Sequence, residues 1–390
     1  MSKKHTKHAK LKRRDLSAYG AMEIAIHGAP CSEIQTLAEK VIAQLGSSHR
    51  MSYVDTDHKA FDNDLMPIYL REGAQELVSD KINYLQINRG GEVNEFDYKQ
   101  LHAGIDLALL NGNHHSGARQ IIILDGNKTA SLEKRKERLT NIIAFVDKDG
   151  NRDIPQFIKD EFSNWQDVPV FAIEDTEAIV RLVESRLSIA RPAVKGLVLA
   201  GGKSVRMGHD KGEIKYHGKI QRAYAADLLK GFCDEVYISC RPDQVEALSE
   251  GEDHELLPDS VSGLGPYGAI MSAFREDPNA AWLVIACDLP LVDRTSIEFL
   301  LSKRSTKHIA TAFHNETTGF PDPLFTLWEP KAYPRILHFL SLGYSCPRKV
   351  LINSDTQVLQ TPDQNVLSNV NTPEDLEDIR KSIGSVPETH

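Results

Sequence analysis

Short apolar runs alternate with amphipathic helical patterns twice along this chain, and a break at Arg191-Pro192-Ala193 separates the two series. Strands that alternate with helices predict a parallel sheet covered by helices. A chain of 390 residues is also too long for one ordinary core. The sequence therefore predicts an α/β protein with two domains, over residues 21–190 and 194–385, each a mainly parallel sheet flanked by helices. A disordered basic tail is expected over residues 1–20.

The individual elements follow from hydrophobic periodicity. In the first series the apolar runs cover residues 21–26, 120–124, 142–146 and 168–173, and helices are predicted around residues 34–45 and 178–187. In the second series the runs cover residues 196–199, 236–240 and 282–287, and helices are predicted at residues 222–230 and 267–276. A last helix is expected after Thr372, a favourable N-cap that is followed by Pro373 at the first helical position.

Composition excludes several classes of protein. The formal net charge of −9 argues against a general nucleic-acid binder. No apolar run approaches the ~20 residues that cross a bilayer, so no membrane partner is expected. The five cysteines form no Cys-x-x-Cys pair, which favours reduced thiols over disulfides or a zinc site. Together these features predict a cytoplasmic protein.

Residues 199–211 carry the densest group of candidate functional residues. A strand leads into Gly201-Gly202, where the backbone can turn sharply and approach a phosphate because no Cβ intervenes. Lys203, Arg206 and Lys211 add three cations within nine residues. We expect these cations to hold a triphosphate, and Arg206 and Lys211 to stabilise the charge that develops as pyrophosphate leaves. Without the cations, such a glycine pair would be read as structural.

Two aspartates follow predicted strands of the second series. Asp288 comes after a buried run and before Leu289-Pro290. Because α/β sheets bind ligands at the carboxyl ends of their strands, Asp288 is a candidate Mg²⁺ ligand, with triphosphate oxygens and waters completing the octahedron. The alternative is an aspartate that caps the turn before Pro290. Asp259 precedes a glycine-rich loop over residues 262–266, which suits a nucleotide base or sugar, or is an ordinary surface loop.

These residues resemble the molybdenum cofactor guanylyltransferase family (MobA-type). Its hallmark is a strand ending in Leu-Ala-Gly-Gly, then Ser, Arg-Met-Gly and Asp-Lys, all of which residues 199–211 contain. Residues 286–290 resemble the family's metal-binding Cys-Asp-x-Pro step, and residues 369–376 resemble its closing signature. The resemblance covers about residues 194–383. It implies a Rossmann-like nucleotidyltransferase fold and the transfer of GMP from GTP to the phosphate of molybdopterin.

The resemblance also implies a role for each matching residue. It implies that Leu199, Ala200 and Gly201 contact guanine and ribose through backbone groups. It implies that Lys211 contacts the phosphates, that Asp259 helps to bind GTP, and that Asp288 binds both GTP and Mg²⁺. The predicted GTP site therefore consists of Leu199, Ala200, Gly201, Gly202, Lys203, Ser204, Lys211, Asp259 and Asp288.

The chain departs from the family pattern on the acceptor side. The family's usual His-Pro appears as Asp322-Pro323. An aspartate that faced an anionic acceptor would repel it. Arg348 and Lys349 could compensate for this repulsion, and the alternative is that they form a solvated surface pair.

Residues 22–187 resemble the P-loop partner protein of guanine dinucleotide biosynthesis (MobB-like). Aligned on Gly28, the second glycine of the loop is Glu33, its lysine is Ile34 and its hydroxyl residue is Gln35. Losing the lysine removes a positive charge from the phosphates, and Glu33 would repel them. We expect this domain not to hydrolyse nucleotide and to act as a scaffold or an acceptor-docking domain.

A polar group in the first series could be the remnant of a metal site. It comprises Asp55, Asp57 and His58, and His114-His115 lie further along the chain. The alternative, that these are solvated loop residues, is the more common role of such side chains.

Three functions remain open on the sequence. The first is guanylyl transfer to molybdopterin or another phosphorylated acceptor, with GTP and Mg²⁺ required and molybdoenzyme maturation proteins as further partners. The second is nucleotidyl transfer of another specificity, such as CMP to molybdopterin or a nucleotide to a sugar phosphate. The third is a nonenzymatic binding protein built from two nucleotide-binding folds.

Overall fold

The computed structural model describes residues 17–57, 66–201, 211–249 and 253–384. The chain divides into two compact units, of which the first ends at Ala190 and the second begins at Arg191. Among the described residues, no helix has both the length and the apolar character required to cross a bilayer. All five cysteines are free thiols.

The first unit is a helix-flanked sheet with an additional hairpin. Its strands are β1 (Met22–His27), β2 (Met51–Val54), β3 (Glu76–Asp80), β4 (Leu85–Arg89), β5 (Leu107–Asn111), β6 (Arg119–Leu124), β7 (Ile142–Asp147) and β8 (Val170–Ala172). Its helices are α1 (Cys31–Leu45), α2 (Ile68–Arg71), α3 (Glu95–Leu101), α4 (Thr129–Glu133), α5 (Gln156–Glu161) and α6 (Thr176–Ile189).

The main sheet of this unit has the strand order β2-β5-β1-β6-β7-β8, and every neighbouring pair is parallel. β1 is buried along its whole length, which explains its continuous apolar run. α1 packs one stripe of apolar side chains, Ile34, Leu37, Ala38, Val41 and Leu45, into the core. The predicted parallel architecture is therefore confirmed. β2 and β5 lie outside the predicted apolar runs. β3 and β4 form a separate antiparallel pair.

Residues 17–20 are ordered, although the sequence places them in a disordered tail. The hydroxyl of Ser17 donates to the Gly20 carbonyl (3.0 Å), and the backbone N–H of Tyr19 donates to the Glu23 carboxylate (2.9 Å). The Tyr19 ring also packs against Tyr98, with ring centroids 5.1 Å apart. Aromatic packing and a buried acceptor thus fix this short segment.

The second unit is built on a larger mixed sheet. Its strands are β9 (Val194–Leu199), β10 (Val236–Cys240), β11 (Glu255–Pro258), β12 (Ala281–Ala286), β13 (Ala310–Asn315), β14 (Phe320–Trp328) and β15 (Thr356–Leu359). Its helices are α7 (Gln221–Lys230), α8 (Val245–Ser249), α9 (Pro266–Glu276), α10 (Arg294–Ser302), α11 (Ala332–Ser341), α12 (Pro347–Ile352) and α13 (Pro373–Gly384).

The strand order of this sheet is β11-β10-β9-β12-β14-β13-β15. Strands β11, β10, β9 and β12 are parallel, so their carboxyl ends lie along one edge. β14 is antiparallel to both of its neighbours. The predicted last helix is confirmed, and the Thr372 hydroxyl accepts a hydrogen bond from the backbone N–H of Asp375 (3.2 Å) as an N-cap does.

A buried ion pair fixes the start of the second unit. The Arg304 guanidinium donates to both carboxylate oxygens of Glu329, at 2.6 and 2.9 Å, and also to the Pro192 carbonyl at 2.9 Å. Both charged side chains are almost fully buried. The fork geometry of arginine satisfies the carboxylate and the chain carbonyl together, which holds the residues leading into β9 against the sheet.

Candidate active site

Five of the predicted site residues lie at the shared carboxyl edge of β11, β10, β9 and β12. Leu199 ends β9 and leads into Ala200 and Gly201, Asp259 follows β11, and Asp288 lies two residues beyond β12. Because β9 is hydrogen-bonded to β10 on one side and to β12 on the other, the topology brings these segments to one end of the sheet. This is the position at which α/β sheets bind ligands.

The exit of β9 is fixed by contacts with β10. The backbone N–H of Ala200 donates to the Ser239 carbonyl (3.3 Å), and Arg241 donates to the Gly201 carbonyl (3.1 Å). A Cβ added to Gly201 would reach the backbone nitrogen of Arg241 at 3.4 Å, an ordinary contact distance. The packing of the described residues therefore does not by itself require a glycine here.

Four predicted residues of the glycine-rich loop, Gly202, Lys203, Ser204 and Arg206, lie outside the described residues. Lys211 begins a short 3₁₀ turn, Lys211–Glu213, which leads toward α7. The roles of these five residues on the phosphates stay predictions.

Asp288 is half-buried, and two backbone hydrogen bonds tie its turn to neighbouring segments. The N–H of Cys287 donates to the Leu199 carbonyl (3.2 Å), which ties the turn to β9. The N–H of Val370 donates to the Asp288 carbonyl (2.9 Å), which ties the turn to the closing signature at residues 369–376.

The helix that follows this turn, α10, has Asp293 as its N-cap. The Asp293 carboxylate accepts a hydrogen bond from the N–H of Ser296 (2.8 Å). Helix capping in this loop is thus performed by Asp293.

Tyr216 lies beside this turn and was not predicted as part of the site. Burial is the main reason that the pKa of the Tyr216 phenol is raised to about 12; the proximity of Cys287 and Asp288 acts in the same direction, and Arg380 acts in the opposite direction. A tyrosine in a run of alternating residues carries no recognisable signal in the sequence. Its place beside Asp288 depends on the fold.

Asp259 is a partly buried carboxylate that faces β10. The hydroxyl of Ser239 donates to its Oδ1 (3.2 Å), and its own N–H donates to the Cys240 carbonyl (2.9 Å). Burial raises the pKa of Asp259, and the hydrogen bond from Ser239 and the charge of Arg241 only partly offset this. The ionised carboxylate therefore gains from additional donors, such as the hydroxyls of a ribose.

Asp322 does not face an acceptor, contrary to the expectation from the sequence. It is 2% exposed, and its carboxylate accepts from the side chain of Asn315 (3.1 Å) and from the backbone N–H groups of Leu324 (2.9 Å) and Phe325 (3.3 Å). The register of β13 and β14 shifts between Ala312 and His314, at the point where this aspartate satisfies the freed donors. The Asp322 carboxylate is therefore used in hydrogen bonds within the sheet and is not exposed toward an acceptor.

The two cations proposed as compensation lie in α12. The Lys349 ammonium is 4.8 Å from the centre of the Tyr344 ring. Arg348 differs from a solvated surface charge because its Nε is buried and has no hydrogen-bond partner among the described residues.

In the first unit, the positions of the P-loop lysine and hydroxyl residue have structural roles. Ile34 is completely buried in the core, and Gln35 donates to Glu39 on the surface of α1 (2.9 Å). Glu33 is paired with Lys148, whose ammonium also contacts Asp125, both at 2.8 Å. Glu33 is thus neutralised within the unit, and no side chain at these three positions offers a cation to a phosphate.

The polar group of the first unit is partly assembled. Asp55 accepts from Asn111 (2.9 Å), and His114 Nε2 lies 3.7 Å from Asp55 and 3.3 Å from Cys31 Sγ. His58 lies outside the described residues. Among the residues that the structure describes, no three His, Cys, Asp or Glu side chains are arranged to hold a metal ion.

Comparison with known proteins places the second unit. Residues 196–357 match the family described as a MobA-like NTP transferase domain. The chain is 30% identical over 191 residues to the molybdenum cofactor guanylyltransferase of Pseudomonas entomophila. This match covers 48% of the chain and 98% of that protein.

Two further matches are to a bifunctional protein and to a solved structure of MobB. The chain is 34% identical over 203 residues to the molybdenum cofactor biosynthesis bifunctional protein of Synechocystis sp., and this match covers 52% of the chain but only 58% of that protein. The solved structure of Bacillus subtilis MobB matches with a TM-score of 0.32 and 17% identity, covering 42% of this chain and 97% of that one.

Proposed function

This chain belongs to the molybdenum cofactor guanylyltransferase family, and from that premise we propose that its second unit transfers GMP from GTP to the phosphate of molybdopterin, with release of pyrophosphate. The chain is a nucleotidyltransferase enzyme. The observation that carries the proposal is the convergence of residues 199–201, Asp259 and Asp288 at one edge of the sheet. Transfer of another nucleotide, or transfer to another acceptor, is an alternative that the test below distinguishes.

In the proposed reaction, an oxygen of the acceptor phosphate attacks the α-phosphorus of GTP. The new O–P bond forms as the bond between the α-phosphorus and the bridging oxygen breaks, and pyrophosphate carries away the electron pair. A phosphate monoester is already anionic near neutral pH, so no side chain has to remove a proton from it. The chain's contribution is therefore to hold the two substrates and to stabilise charge.

The described residues support separate roles within this scheme. The backbone at 199–201, held against β10, offers groups to guanine and ribose. Asp259 lies across β10 from this segment. Its carboxylate is partly buried, which raises its pKa, and the ionised form would gain from substrate hydroxyls. Lys211 and Arg206 remain the predicted cations for the phosphates.

Mg²⁺ is proposed as the cofactor, with Asp288 as its protein ligand. The donor set fits this ion: Asp288 presents a half-buried carboxylate at a strand end, and within the described residues no denser cluster of ligands competes for a metal. A cation held by one carboxylate and by substrate phosphates is the usual arrangement for Mg²⁺. When bound, Mg²⁺ would neutralise charge on the phosphates.

The test compares Asp288→Ala with Asp293→Ala, which removes a carboxylate from the same loop and costs a helix cap. With GTP, molybdopterin and Mg²⁺, Asp288→Ala should lower pyrophosphate release by roughly 100-fold or more while remaining folded. Asp293→Ala should lose only stability, about 1 kcal/mol. Full activity of Asp288→Ala would contradict the metal assignment. Equal rates with CTP, or with a sugar phosphate as acceptor, would replace the proposed substrates.

For the first unit we propose a scaffolding or acceptor-docking role without nucleotide hydrolysis. The support is that Ile34 is buried and that Glu33 is paired with Lys148, so that the P-loop positions are used for folding. In the full-length Asp288→Ala variant the transferase reaction, which releases pyrophosphate, is largely lost, and any release of inorganic phosphate from GTP would be assigned to the first unit. We expect none, and measurable phosphate release from GTP by this variant would refute the proposal.

A further inference from the structure

A tight turn follows the glycine-rich loop and the 3₁₀ turn. Lys215 and Ile220 form an isolated antiparallel bridge, and Gly218 between them has a φ of 74°. α7 begins directly afterwards, at Gln221. The backbone at residues 216–219 is therefore constrained on both sides, and the His217 side chain leaves from a fixed position.

His217 makes two specific contacts from this turn. Its ring stacks on Tyr224 of α7, with centroids 3.9 Å apart and planes 16° apart. Its Nε2 lies 2.8 Å from the carbonyl oxygen of Pro290. Because a carbonyl can only accept, Nε2 carries a proton and donates. The stack fixes the ring plane, and this directs the donor at the carbonyl.

Pro290 is two residues beyond Asp288, in the same short turn. It is buried, and the backbone ties from Leu199 and Val370 hold the other end of that turn. The hydrogen bond from His217 adds a tie from a third segment, the one that begins at Lys211. His217 thus links the segment that carries a predicted phosphate-binding cation to the turn that carries the predicted metal ligand.

We infer that His217 is a positioning residue, which holds the Asp288 turn in register with the segment after the glycine-rich loop. This inference rests on the proposed function. A displacement of about 1 Å in groups that position a reacting substrate can cost on the order of 100-fold in rate. Since His217 acts through the Pro290 carbonyl, its loss should alter how Asp288 serves the metal and should leave GTP contacts on the β9–β11 side unchanged.

Two substitutions separate the hydrogen bond from the stacking. His217→Phe keeps an aromatic ring against Tyr224 and removes the donor. His217→Gln keeps a side-chain N–H of similar reach and removes the ring. His308→Phe is the matched control, because His308 pairs with Asp355 (2.7 Å) just before β13, at the opposite edge of the sheet.

The measurements are pyrophosphate release as a function of Mg²⁺ and of GTP concentration, together with the melting temperature. We expect His217→Phe to lower kcat by roughly 10- to 100-fold and to raise the Mg²⁺ concentration for half-maximal rate several-fold, with the KM for GTP changed less than twofold. His217→Gln should recover most of the rate, and His308→Phe should match the unmodified protein.

The outcomes distinguish a failure of the proposed function from a failure of the inference about His217. If the unmodified protein releases no pyrophosphate from GTP, the proposed function fails. If it is active and His217→Phe has an unchanged rate and Mg²⁺ dependence, the inference fails while the function stands. Equal losses in His217→Phe and His217→Gln would also overturn the inference, because the hydrogen bond would then have no distinct effect.

Discussion

The buried histidine at the end of β1 should make the first unit sensitive to mild acid. His27 is 1% exposed, and neither ring nitrogen has a hydrogen-bond partner among the described residues. A Cβ added to Gly112 would lie 2.5 Å from three atoms of the His27 ring, so the ring is tightly enclosed. Burial lowers the pKa of His27 from 6.5 to about 4, and the nearby Arg138 and Arg135 contribute in the same direction.

The sign of the pH dependence follows from where the proton binds. Below pH 6.5 the unfolded chain takes up a proton at His27, whereas the folded unit resists protonation until about pH 4. The contribution to stability is therefore fully present above pH 6.5 and is lost as the pH falls through this window. A tenfold change in proton affinity is worth about 1.4 kcal/mol, so the full loss is about 3 kcal/mol, of which about 2 kcal/mol appears by pH 5.

The perturbation is His27→Phe, which keeps a flat ring against Gly112 and cannot be protonated. Urea unfolding at pH 7.5 and at pH 5.0 would be followed by pulse-labelling hydrogen exchange of peptides from β1 and β6, which report on the first unit. The fixed packing cost of the larger ring cancels in the difference between the two pH values. We expect the free energy of unfolding to fall by about 2 kcal/mol more in the unmodified protein than in His27→Phe. Equal pH dependence in the two proteins would refute the reasoning.

Two further substitutions test the second unit. Asp322→Leu should lower the free energy of unfolding by roughly 2–4 kcal/mol in urea titrations, because it leaves buried donors of Asn315, Leu324 and Phe325 without an acceptor. A stable variant with an altered KM for the acceptor would show instead that the aspartate serves the substrate. Asp259→Asn should bind GTP more weakly, by about tenfold or more in calorimetry, yet be at least as stable without ligand at neutral pH. The pKa of Asp259 is raised in the folded protein, so its ionisation lowers the free energy of unfolding as the pH rises through that pKa. A clearly less stable Asp259→Asn variant in the absence of GTP would contradict this account.

The parallel part of the fold was accessible from the sequence because buried strands leave continuous apolar runs. β1, β6, β7, β9, β10 and β12 are all predicted within about two residues. β14 is different, since its central position between β12 and β13 and its reversed direction depend on the connections around it. Hydrophobic periodicity indicates that a segment is a strand, but it does not give the direction in which that strand enters the sheet.

The site divides in the same way between what local sequence can show and what only tertiary structure can. The location of Asp259 and Asp288 at one edge of the sheet could be predicted because the ends of parallel strands converge, whatever the details of packing; their roles in the site stay predictions. The predicted role of Asp322 was wrong. Its position within a motif does not indicate that backbone N–H groups at a strand irregularity bind its carboxylate. His217 could not be found, since its partner Pro290 is 73 residues away.

The glycines of the two units show why a retained glycine is weak evidence for a ligand. A Cβ at Gly28 would lie 2.2 Å from the Ile123 carbonyl oxygen, and its φ is 87°, so the fold of the first unit requires glycine there even though Ile34 has replaced the P-loop lysine. At Gly201 the same construction meets only ordinary contacts among the described atoms. Packing requires the first glycine, and the described contacts do not require the second. A nucleotide-loop motif is therefore more informative where the protein's own packing would tolerate a side chain, and on this criterion Gly201 is better evidence for a ligand-binding loop than Gly28 is.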